Sequence, residues 1–387
     1  MSAGSWVEFA KKYSALLFQL EHRFYGVSHP FKDLSVENLR FLSSRQALED
    51  TATFINGMNQ EYNLTKDAKW IVFGGSYAGS LAAWLRQKFP HLVQGAVSAS
   101  GPLFAQLDFH EYMQVVADVL ALHSQKCVDT VKTAFARLEK LVDKPGVENI
   151  TALFNLCQDI RKVNTESDIY SFFETVYEVF SYTVQYDSAW GPSVGDLCGI
   201  LINETYGDEL HRLATAAKLY YNRSACTDYT YQTKIDDMRV LNITPDGNMR
   251  QWFYQTCTEY GWYETTNQKE QVFGTKAPTQ FFTKMCTDTF GKEYNTKYLT
   301  SQIEYTNTYY GGYEIDVQNV VFVQGSYDPW KAMSLTKATD HESPVIYING
   351  TSHCAVLYPP FKRDPPQLIK ARAVVEKLIG AWLGVKL

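Results

Sequence analysis

The stretch Trp70-Ile-Val-Phe-Gly-Gly-Ser76-Tyr-Ala-Gly-Ser80 runs from a short apolar segment, through a glycine-rich turn, into a sequence with helical spacing. A sharp turn between a strand and a helix exposes a serine hydroxyl, and small residues beside the serine let the two elements approach closely. Ser76 therefore has the position of a nucleophile, with Ala78 in place of the second glycine of a G-x-S-x-G pattern. The main-chain N–H of Tyr77 is the expected donor to an oxyanion.

This turn has two other interpretations. One is a glycine-rich turn without chemistry, and the other is a phosphate-binding loop. The phosphate loop requires the pattern G-x-x-x-x-G-K-[ST], and no such pattern surrounds Ser76. The apolar run before the serine and the helical spacing after it favour the nucleophile.

Apolar runs alternate with helical spacing on both sides of the turn. An uninterrupted apolar run is typical of a strand buried on both faces, and its alternation with helices indicates a parallel α/β sheet. The predicted strands are Ala15–Leu20, Trp70–Phe73, Val93–Val97, Val317–Gln324 and Pro344–Ile348. The predicted helices cover residues 5–13, 44–62, 77–89 and 366–383.

The character of the chain changes between residues 105 and 300. Residues 106–142 and 166–185 have the apolar spacing of helices, and six of the seven cysteines lie between Cys127 and Cys286. The sequence therefore predicts a sheet domain in two parts, residues 1–104 and 301–387. A helical cap that carries disulfides, residues 105–300, is inserted between them.

Two side chains late in the chain complete the chemistry expected of Ser76. Asp328 follows the predicted strand Val317–Gln324, and His353 follows the next predicted strand. The order serine, acid, histidine is that of α/β-hydrolases, in which the aspartate orients the imidazole that takes the serine proton. Taken singly, Asp328 also suits a turn before Pro329, and His353 suits an ordinary loop. The three together favour a catalytic triad in an α/β-hydrolase fold.

Composition argues against several classes of function. The formal net charge is −6, and no block of lysines and arginines offers a surface for nucleic acid. No run of about 18 apolar residues is present to span a membrane. No two cysteines have C-x-x-C spacing, so we expect no zinc site, and we expect no other metal or cofactor.

Six Asn-x-Ser/Thr sequons indicate a secretory route. Their asparagines are Asn63, Asn149, Asn203, Asn222, Asn242 and Asn349. Seven cysteines leave at least one without an intramolecular partner. We expect it to be Cys354, because a bridge beside His353 would tether a loop that must stay in register with Ser76.

Several blocks match a known family more closely than a fold class. They are Leu20-Glu-His-Arg-Phe-Tyr-Gly26, Leu42-Ser-Ser-Arg-Gln-Ala-Leu48, Gly74-Gly-Ser-Tyr-Ala-Gly79, Trp252-Phe-Tyr-Gln-Thr-Cys-Thr-Glu-Tyr-Gly261, Asp328-Pro-Trp330 and Gly350-Thr-Ser-His-Cys-Ala355. Over nearly the whole chain they resemble the family of lysosomal Pro-Xaa carboxypeptidase, dipeptidyl peptidase II and thymus-specific serine protease. The resemblance is greatest to the thymus-specific branch.

The resemblance implies a serine exopeptidase that cleaves peptides beside proline, in a lysosomal, endosomal or extracellular compartment. It implies Ser76, Asp328 and His353 as the triad. It also implies Trp330 as a wall of a proline pocket and Trp262 as a second candidate wall, with core packing as the alternative for both. The disulfides it implies are Cys127–Cys198, Cys157–Cys226 and Cys257–Cys286.

Members of this family are expected to begin with a signal peptide and further strands, one of them followed by a glycine-rich loop with a second oxyanion donor. Nothing similar precedes Ala15. In the hydrolase fold the absent strand would lie between Ala15–Leu20 and Trp70–Phe73, and its loss would expose two strand edges. The sequence is therefore expected to be an N-terminally truncated form of a secreted enzyme.

Three functions are compatible with these observations. The triad favours a serine exopeptidase, whereas the absent oxyanion loop favours a catalytically impaired isoform or a non-enzymatic binding protein with a hydrolase fold. An esterase or lipase has the same triad, but the Asp328-Pro-Trp330 block resembles the peptidase family. The sequence chooses neither the carboxypeptidase nor the dipeptidyl-peptidase mode, and it leaves open a homodimer.

Overall fold

A computed structural model describes residues 3–143, 149–162, 165–187, 189, 191–221, 225–244, 247–268, 271–338 and 343–385. Its strands are β1 (Trp70–Gly75), β2 (Val93–Ala99), β3 (Gln106–Asp108), β4 (Gly261–Tyr263), β5 (Val320–Gly325) and β6 (Val345–Ile348). Its α-helices are α1 (Ser5–Tyr13), α2 (Val36–Leu39), α3 (Ser44–Glu61), α4 (Tyr77–Lys88), α5 (His110–His123), α6 (Gln125–Asp143), α7 (Ile150–Leu153), α8 (Glu166–Tyr186), α9 (Val194–Ile202), α10 (Glu209–Tyr221), α11 (Tyr231–Arg239), α12 (Met249–Gln255), α13 (Thr279–Phe290), α14 (Thr296–Tyr310) and α15 (Pro366–Leu383).

The chain forms two compact units. The first comprises Met1–Ala105, Leu241–Gln255 and Ser301–Leu387. The second comprises Gln106–Val240 and Thr256–Thr300. Among the described helices, none combines the length and the apolar character needed to cross a lipid bilayer.

The first unit is built on a parallel sheet with the strand order β1-β2-β5-β6. Val97 of β2 lies opposite Val321 of β5, so alternate side chains of the two strands share one face. This face packs against α1 and α15 in one apolar core. Its members include Phe9, Val97, Ala99, Val321, Val323, Val375, Ile379 and Trp382.

The parallel arrangement determines where a site can form. All four strands end at the same edge of the sheet, which is where open α/β sheets bind their ligands. At this edge β1 passes directly into α4 through Ser76. The parallel sheet with helices and the strand–turn–helix at the serine are those of an α/β-hydrolase, as the sequence predicted.

The predicted strand at Ala15–Leu20 is wrong. This segment is irregular, and Leu16 is 56% exposed although a strand buried on both faces was expected. Phe18 is its anchored side chain, with its ring 5.2 Å from that of Trp70. A buried strand needs neighbours for its N–H and C=O groups. Within the described residues β1 is an edge strand of its sheet, and the segment pairs with no strand.

Residues Leu241–Gln255 also differ from the prediction, because they belong to the first unit although they lie within the segment expected to be a cap. The main-chain N–H of Leu34 donates to the carbonyl of Leu241 at 2.9 Å. The guanidinium of Arg250 donates to the Leu34 carbonyl at 2.8 Å, and the amide of Gln251 donates to the Phe24 carbonyl at 2.9 Å. These bonds bring α12 to the elements that precede β1.

The second unit is largely helical and carries three disulfides. They join Cys127 to Cys198, Cys157 to Cys226 and Cys257 to Cys286, the pairs that the family resemblance implied. Cys354, in the first unit, is outside any disulfide, as predicted. The predicted helix over 166–185 is α8, and the helical spacing over 106–142 corresponds to α5 and α6 preceded by the short strand β3.

Candidate active site

Ser76 occupies the turn between β1 and α4 in a strained conformation. Its backbone has φ 59° and ψ −134°, in the positive-φ region that side chains other than glycine rarely adopt. Its N–H donates to the carbonyl of Ala99 at the end of β2, at 3.0 Å, and its own carbonyl accepts from Gly79 N–H at 2.8 Å. Main-chain hydrogen bonds on both sides of the serine therefore hold this strained conformation. The conformation turns Ser76 out of the sheet.

Close packing explains which residues beside Ser76 must be glycine. A Cβ placed on Gly74 would lie 1.8 Å from the carbonyl oxygen of Ala78, so strand and helix could not approach. A Cβ on Gly79 would lie 2.8 Å from the Ala99 carbonyl oxygen. Ala78 is itself exposed, which accounts for the tolerance of a methyl group where the sequence pattern has its second glycine.

Asp328 and His353 meet at the ends of the two neighbouring strands. Nδ1 of His353, after β6, lies 2.9 Å from Oδ2 of Asp328, after β5, and both side chains are buried. The other carboxylate oxygen of Asp328 accepts the main-chain N–H of Trp330 at 3.0 Å. The carboxylate is thus fixed by one donor while it orients the imidazole with the other oxygen.

The electrostatics of this pair favour a charged imidazole. Burial acts to lower the pKa of His353, but the negative charge of Asp328, the interaction with Cys354 and hydrogen bonds to both residues raise it well above its ordinary value. Asp328 also keeps the proton on Nδ1, because a carboxylate oxygen only accepts. Nε2 is then the ring nitrogen with which His353 can take up a proton.

The histidine loop is packed onto the turn that carries the serine. The N–H of Cys354 donates to Oγ of Ser100, just beyond β2, at 2.8 Å. A Cβ on Gly75, the residue before Ser76, would come within 2.9 Å of the Cys354 sulfur. Residues adjacent to His353 and to Ser76 are therefore in direct contact, and a carboxylate, an imidazole and a serine lie at one edge of the sheet.

The remaining predicted residues are placed as follows. Tyr77 is the first residue of α4, where main-chain N–H groups lack helical acceptors. Trp330 is 9% exposed and lies in the first unit, two residues beyond Asp328. Trp262 is 4% exposed and lies in the second unit, where its ring stacks on Tyr260 with centroids 4.3 Å apart. The proposed contact of either tryptophan with substrate stays a prediction.

Asn222 lies outside the described residues, and the other sequon asparagines are exposed. These are Asn63, Asn149, Asn203, Asn242 and Asn349. Exposure is required for glycan attachment but does not demonstrate it, so glycosylation stays a prediction. Within the described ranges, no group of three or more His, Cys, Asp or Glu side chains is placed to hold a metal ion.

Sequence reasoning left His22 and Gln255 without a role. The structure brings both to the phenol of Tyr77, at 3.2 Å from Nε2 of His22 and 2.9 Å from Nε2 of Gln255. A signal was present, because His22 lies in the block Leu20–Gly26 and Gln255 in the block Trp252–Gly261, which were singled out for their resemblance. Nothing in either block indicates that the two residues meet.

Comparison with known proteins agrees with the chemistry of the site. The family described as serine carboxypeptidase S28 matches residues 1–375. A Caenorhabditis elegans protein described as a serine protease is 36% identical over 400 residues, which cover 98% of this chain and 74% of the relative. The thymus-specific serine protease of Homo sapiens is 33% identical over 390 residues, covering 97% and 75%. The lysosomal Pro-X carboxypeptidase of Homo sapiens is 27% identical over 403 residues, covering 99% and 77%.

Proposed function

We propose that this chain, which belongs to the S28 family of serine carboxypeptidases, is an exopeptidase that works through a triad of Ser76, His353 and Asp328. The observation that carries the triad is the buried contact of 2.9 Å between His353 Nδ1 and Asp328 Oδ2, on a loop that packs against the serine turn. Burying a carboxylate is unfavourable unless the carboxylate is paired. A histidine without a function in an ordinary loop gives no reason for such a buried pair.

In the proposed mechanism, Nε2 of His353 takes the hydroxyl proton of Ser76 while Oγ attacks the scissile carbonyl carbon. The carbonyl π electrons move to oxygen, and the main-chain N–H of Tyr77 donates to the oxyanion. The C–N bond then breaks, and the imidazolium returns its proton to the leaving amine. Water attacks the acyl-enzyme with the same histidine as base, which regenerates Ser76 and releases a carboxylate.

We propose cleavage beside proline because of the family resemblance and because one relative is named as a Pro-X carboxypeptidase. Trp330 supports this specificity, since an aromatic side chain beside the acid offers a flat apolar wall for a pyrrolidine ring. Trp330→Ala should raise KM for proline-containing peptides more than for matched alanine peptides. Equal changes for both kinds of substrate would contradict a role in specificity.

The principal test is the reaction of Ser76. A fluorophosphonate probe should label the full-length protein, and Ser76→Ala should abolish labelling and lower kcat by roughly four to six orders of magnitude while the fold is retained. Ser80→Ala, a buried serine one turn along α4, is the matched control for loss of a hydroxyl. Undiminished hydrolysis by folded Ser76→Ala would refute Ser76 as the nucleophile. Absence of both labelling and hydrolysis in the folded wild type would favour a non-enzymatic binding role.

The peptidase is proposed to act in the secretory route. Three disulfides fit an oxidising compartment, and a relative is named as lysosomal. The proposed partner is a peptide substrate. Comparing the products formed from proline peptides with free ends and with blocked ends will distinguish the carboxypeptidase mode from the dipeptidyl-peptidase mode.

A further inference from the structure

Tyr77, the residue directly after Ser76, is held by three side chains of its own unit. Its phenol oxygen lies 3.2 Å from Nε2 of His22 and accepts from the amide of Gln255 at 2.9 Å. Its ring also packs against Trp252, with centroids 5.8 Å apart. Hydrogen bonds and ring packing therefore hold this side chain beside the proposed nucleophile.

The protons in this network can be assigned from its acceptors. Nδ1 of His22 lies 2.7 Å from the carbonyl of Arg23, which only accepts, so Nδ1 carries the proton of the neutral ring. Nε2 then accepts the hydroxyl of Tyr77. Oε1 of Gln255 accepts the hydroxyl of Tyr25 at 2.6 Å, which leaves its NH₂ group to donate to Tyr77. The hydrogen bonds thus run in one direction, from Tyr25 through Gln255 and Tyr77 to His22.

The neutral state of His22 on which this assignment depends has a physical cause. Burial lowers the pKa of His22, and the nearby charge of Arg23 lowers it further. The hydrogen bond to the Arg23 carbonyl and the charge of Asp50 act in the opposite direction, but the net change is downward. His22 is therefore an acceptor for Tyr77 at neutral pH, and Arg23 forms its own ion pair with Asp50.

The main chain at Tyr77 needs such support. Its N–H begins a helix and has no intrahelical acceptor, and the preceding residue has a φ of 59° that the chain would relax if it were free to do so. A phenol held at its far end restricts rotation about both backbone bonds of Tyr77. Gln255 is fully buried, and burying a polar amide is unfavourable unless it is hydrogen-bonded, so its bonds to Tyr25 and Tyr77 offset the cost of its burial.

We propose that His22 and Gln255 are positioning residues, which hold the Tyr77 side chain so that its main-chain N–H faces the oxyanion formed during attack by Ser76. This inference rests on the proposed serine peptidase function. It assigns a role to the block Leu20–Gly26, which the triad does not use.

The test compares kcat, KM and the rate of fluorophosphonate labelling in the full-length protein. Removal of one oxyanion donor lowers kcat by about 100- to 1,000-fold, so its misalignment in Tyr77→Phe should lower kcat by roughly 10- to 100-fold. KM should change by less than about threefold, because the ring and its contacts with Trp252 remain. His22→Phe should lower kcat as much as Tyr77→Phe does, and the variant that carries both substitutions should have a kcat no lower than either. His22→Gln should keep most of the wild-type kcat, because it supplies a neutral acceptor.

Tyr13→Phe is the matched control, because its phenol donates to the Glu376 carbonyl at 2.9 Å on another part of the same unit. Full kcat in folded Tyr77→Phe, additive losses in the double variant, or an equal loss in Tyr13→Phe would overturn the inference. Gln255→Leu breaks the same network independently if Tyr77→Phe does not accumulate as folded protein. Ser76→Ala is measured in parallel to separate the two proposals. If Ser76→Ala is inactive and Tyr77→Phe is fully active, only the positioning role is refuted.

Discussion

The main-chain N–H of Ser76 and the thiol of Cys354 share one acceptor, the carbonyl oxygen of Ala99, at 3.0 Å and 3.8 Å. The nucleophile turn and the histidine loop are thus joined through the end of β2, the strand that separates β1 from β5. Ser100 strengthens this junction, since its Oγ accepts the Cys354 N–H and its own N–H donates to Val323. The distance between Ser76 and His353 therefore depends on β2, which contributes no residue of the proposed triad.

Ser100→Ala should lower kcat without a large loss of stability. The substitution removes the acceptor for Cys354 N–H, so the histidine loop can shift, and misplacement by about 1 Å can lower a rate roughly 100-fold. The free energy of unfolding should fall by only about 1 kcal/mol, the usual contribution of one hydrogen bond. Steady-state kinetics and urea denaturation measure the two effects.

Ser98→Ala is the control for this substitution. Ser98 lies two residues earlier on β2, it is equally buried, and its hydroxyl has no hydrogen-bond partner in the described part of the chain. It should therefore keep nearly full kcat. Equal losses in Ser98→Ala and Ser100→Ala would show that the junction with Cys354 is not the cause.

Activity should fall on the acidic side as His353 becomes protonated. The imidazole must be neutral to accept the Ser76 proton, and its raised pKa moves this loss to the neutral side of about 6.5. Asp328→Asn should lower kcat roughly 10,000-fold, because the imidazole loses the acceptor that orients it. The substitution also removes the charge that raises the pKa of His353, so the residual activity should persist to lower pH. The measurement is kcat/KM as a function of pH, and a wild-type profile that stays flat down to about pH 4 would contradict His353 as the base.

The second unit should be less stable at alkaline than at mildly acidic pH because of Glu264. Burial, followed by the negative charges of Glu178 and Glu174, raises the pKa of Glu264 to about 8 from an ordinary 4.5. The folded state therefore keeps a proton that the unfolded state has released, so this contribution to stability decreases as pH rises between these two values. Denaturation at about pH 5.5 and about pH 8 should show the decrease, and Glu264→Gln should reduce it. Glu293→Gln, an exposed control, should leave it unchanged.

Removal of a long disulfide should destabilise the chain more than removal of a short one. Cys127–Cys198 spans 71 residues and Cys257–Cys286 spans 29. Loop-closure entropy predicts losses of about 4.4 and about 3.6 kcal/mol for the paired alanine variants. Urea denaturation under non-reducing conditions tests the order. A clearly larger loss for Cys257→Ala/Cys286→Ala would show that local packing, including the contact of the Tyr263 hydroxyl with both sulfurs, outweighs chain entropy.

Local sequence patterns were sufficient for the elements that surround the site. The strands β1, β2, β5 and β6 are visible as uninterrupted apolar runs, and α15 is visible as a helical period, because both patterns arise within a short stretch of sequence. The same reasoning failed at Ala15–Leu20, where the apolar run is real but its neighbour strand is absent from the described residues. An apolar run reports a tendency to be buried, whereas strand formation also needs a partner for every peptide group.

The sequence by itself determined the turn at Ser76, the order of serine, acid and histidine, and the oddness of the cysteines, because each depends on neighbouring residues or on a count. Only the tertiary structure decided that Gln255 reaches Tyr77 across 178 residues and that Leu241–Gln255 packs with the sheet unit. The same holds for Ser100, just beyond β2, whose hydroxyl accepts the Cys354 N–H and so secures the loop of His353. These contacts join side chains through packing and hydrogen bonds between distant segments, and such contacts leave no period or spacing in the chain that a local pattern could reveal.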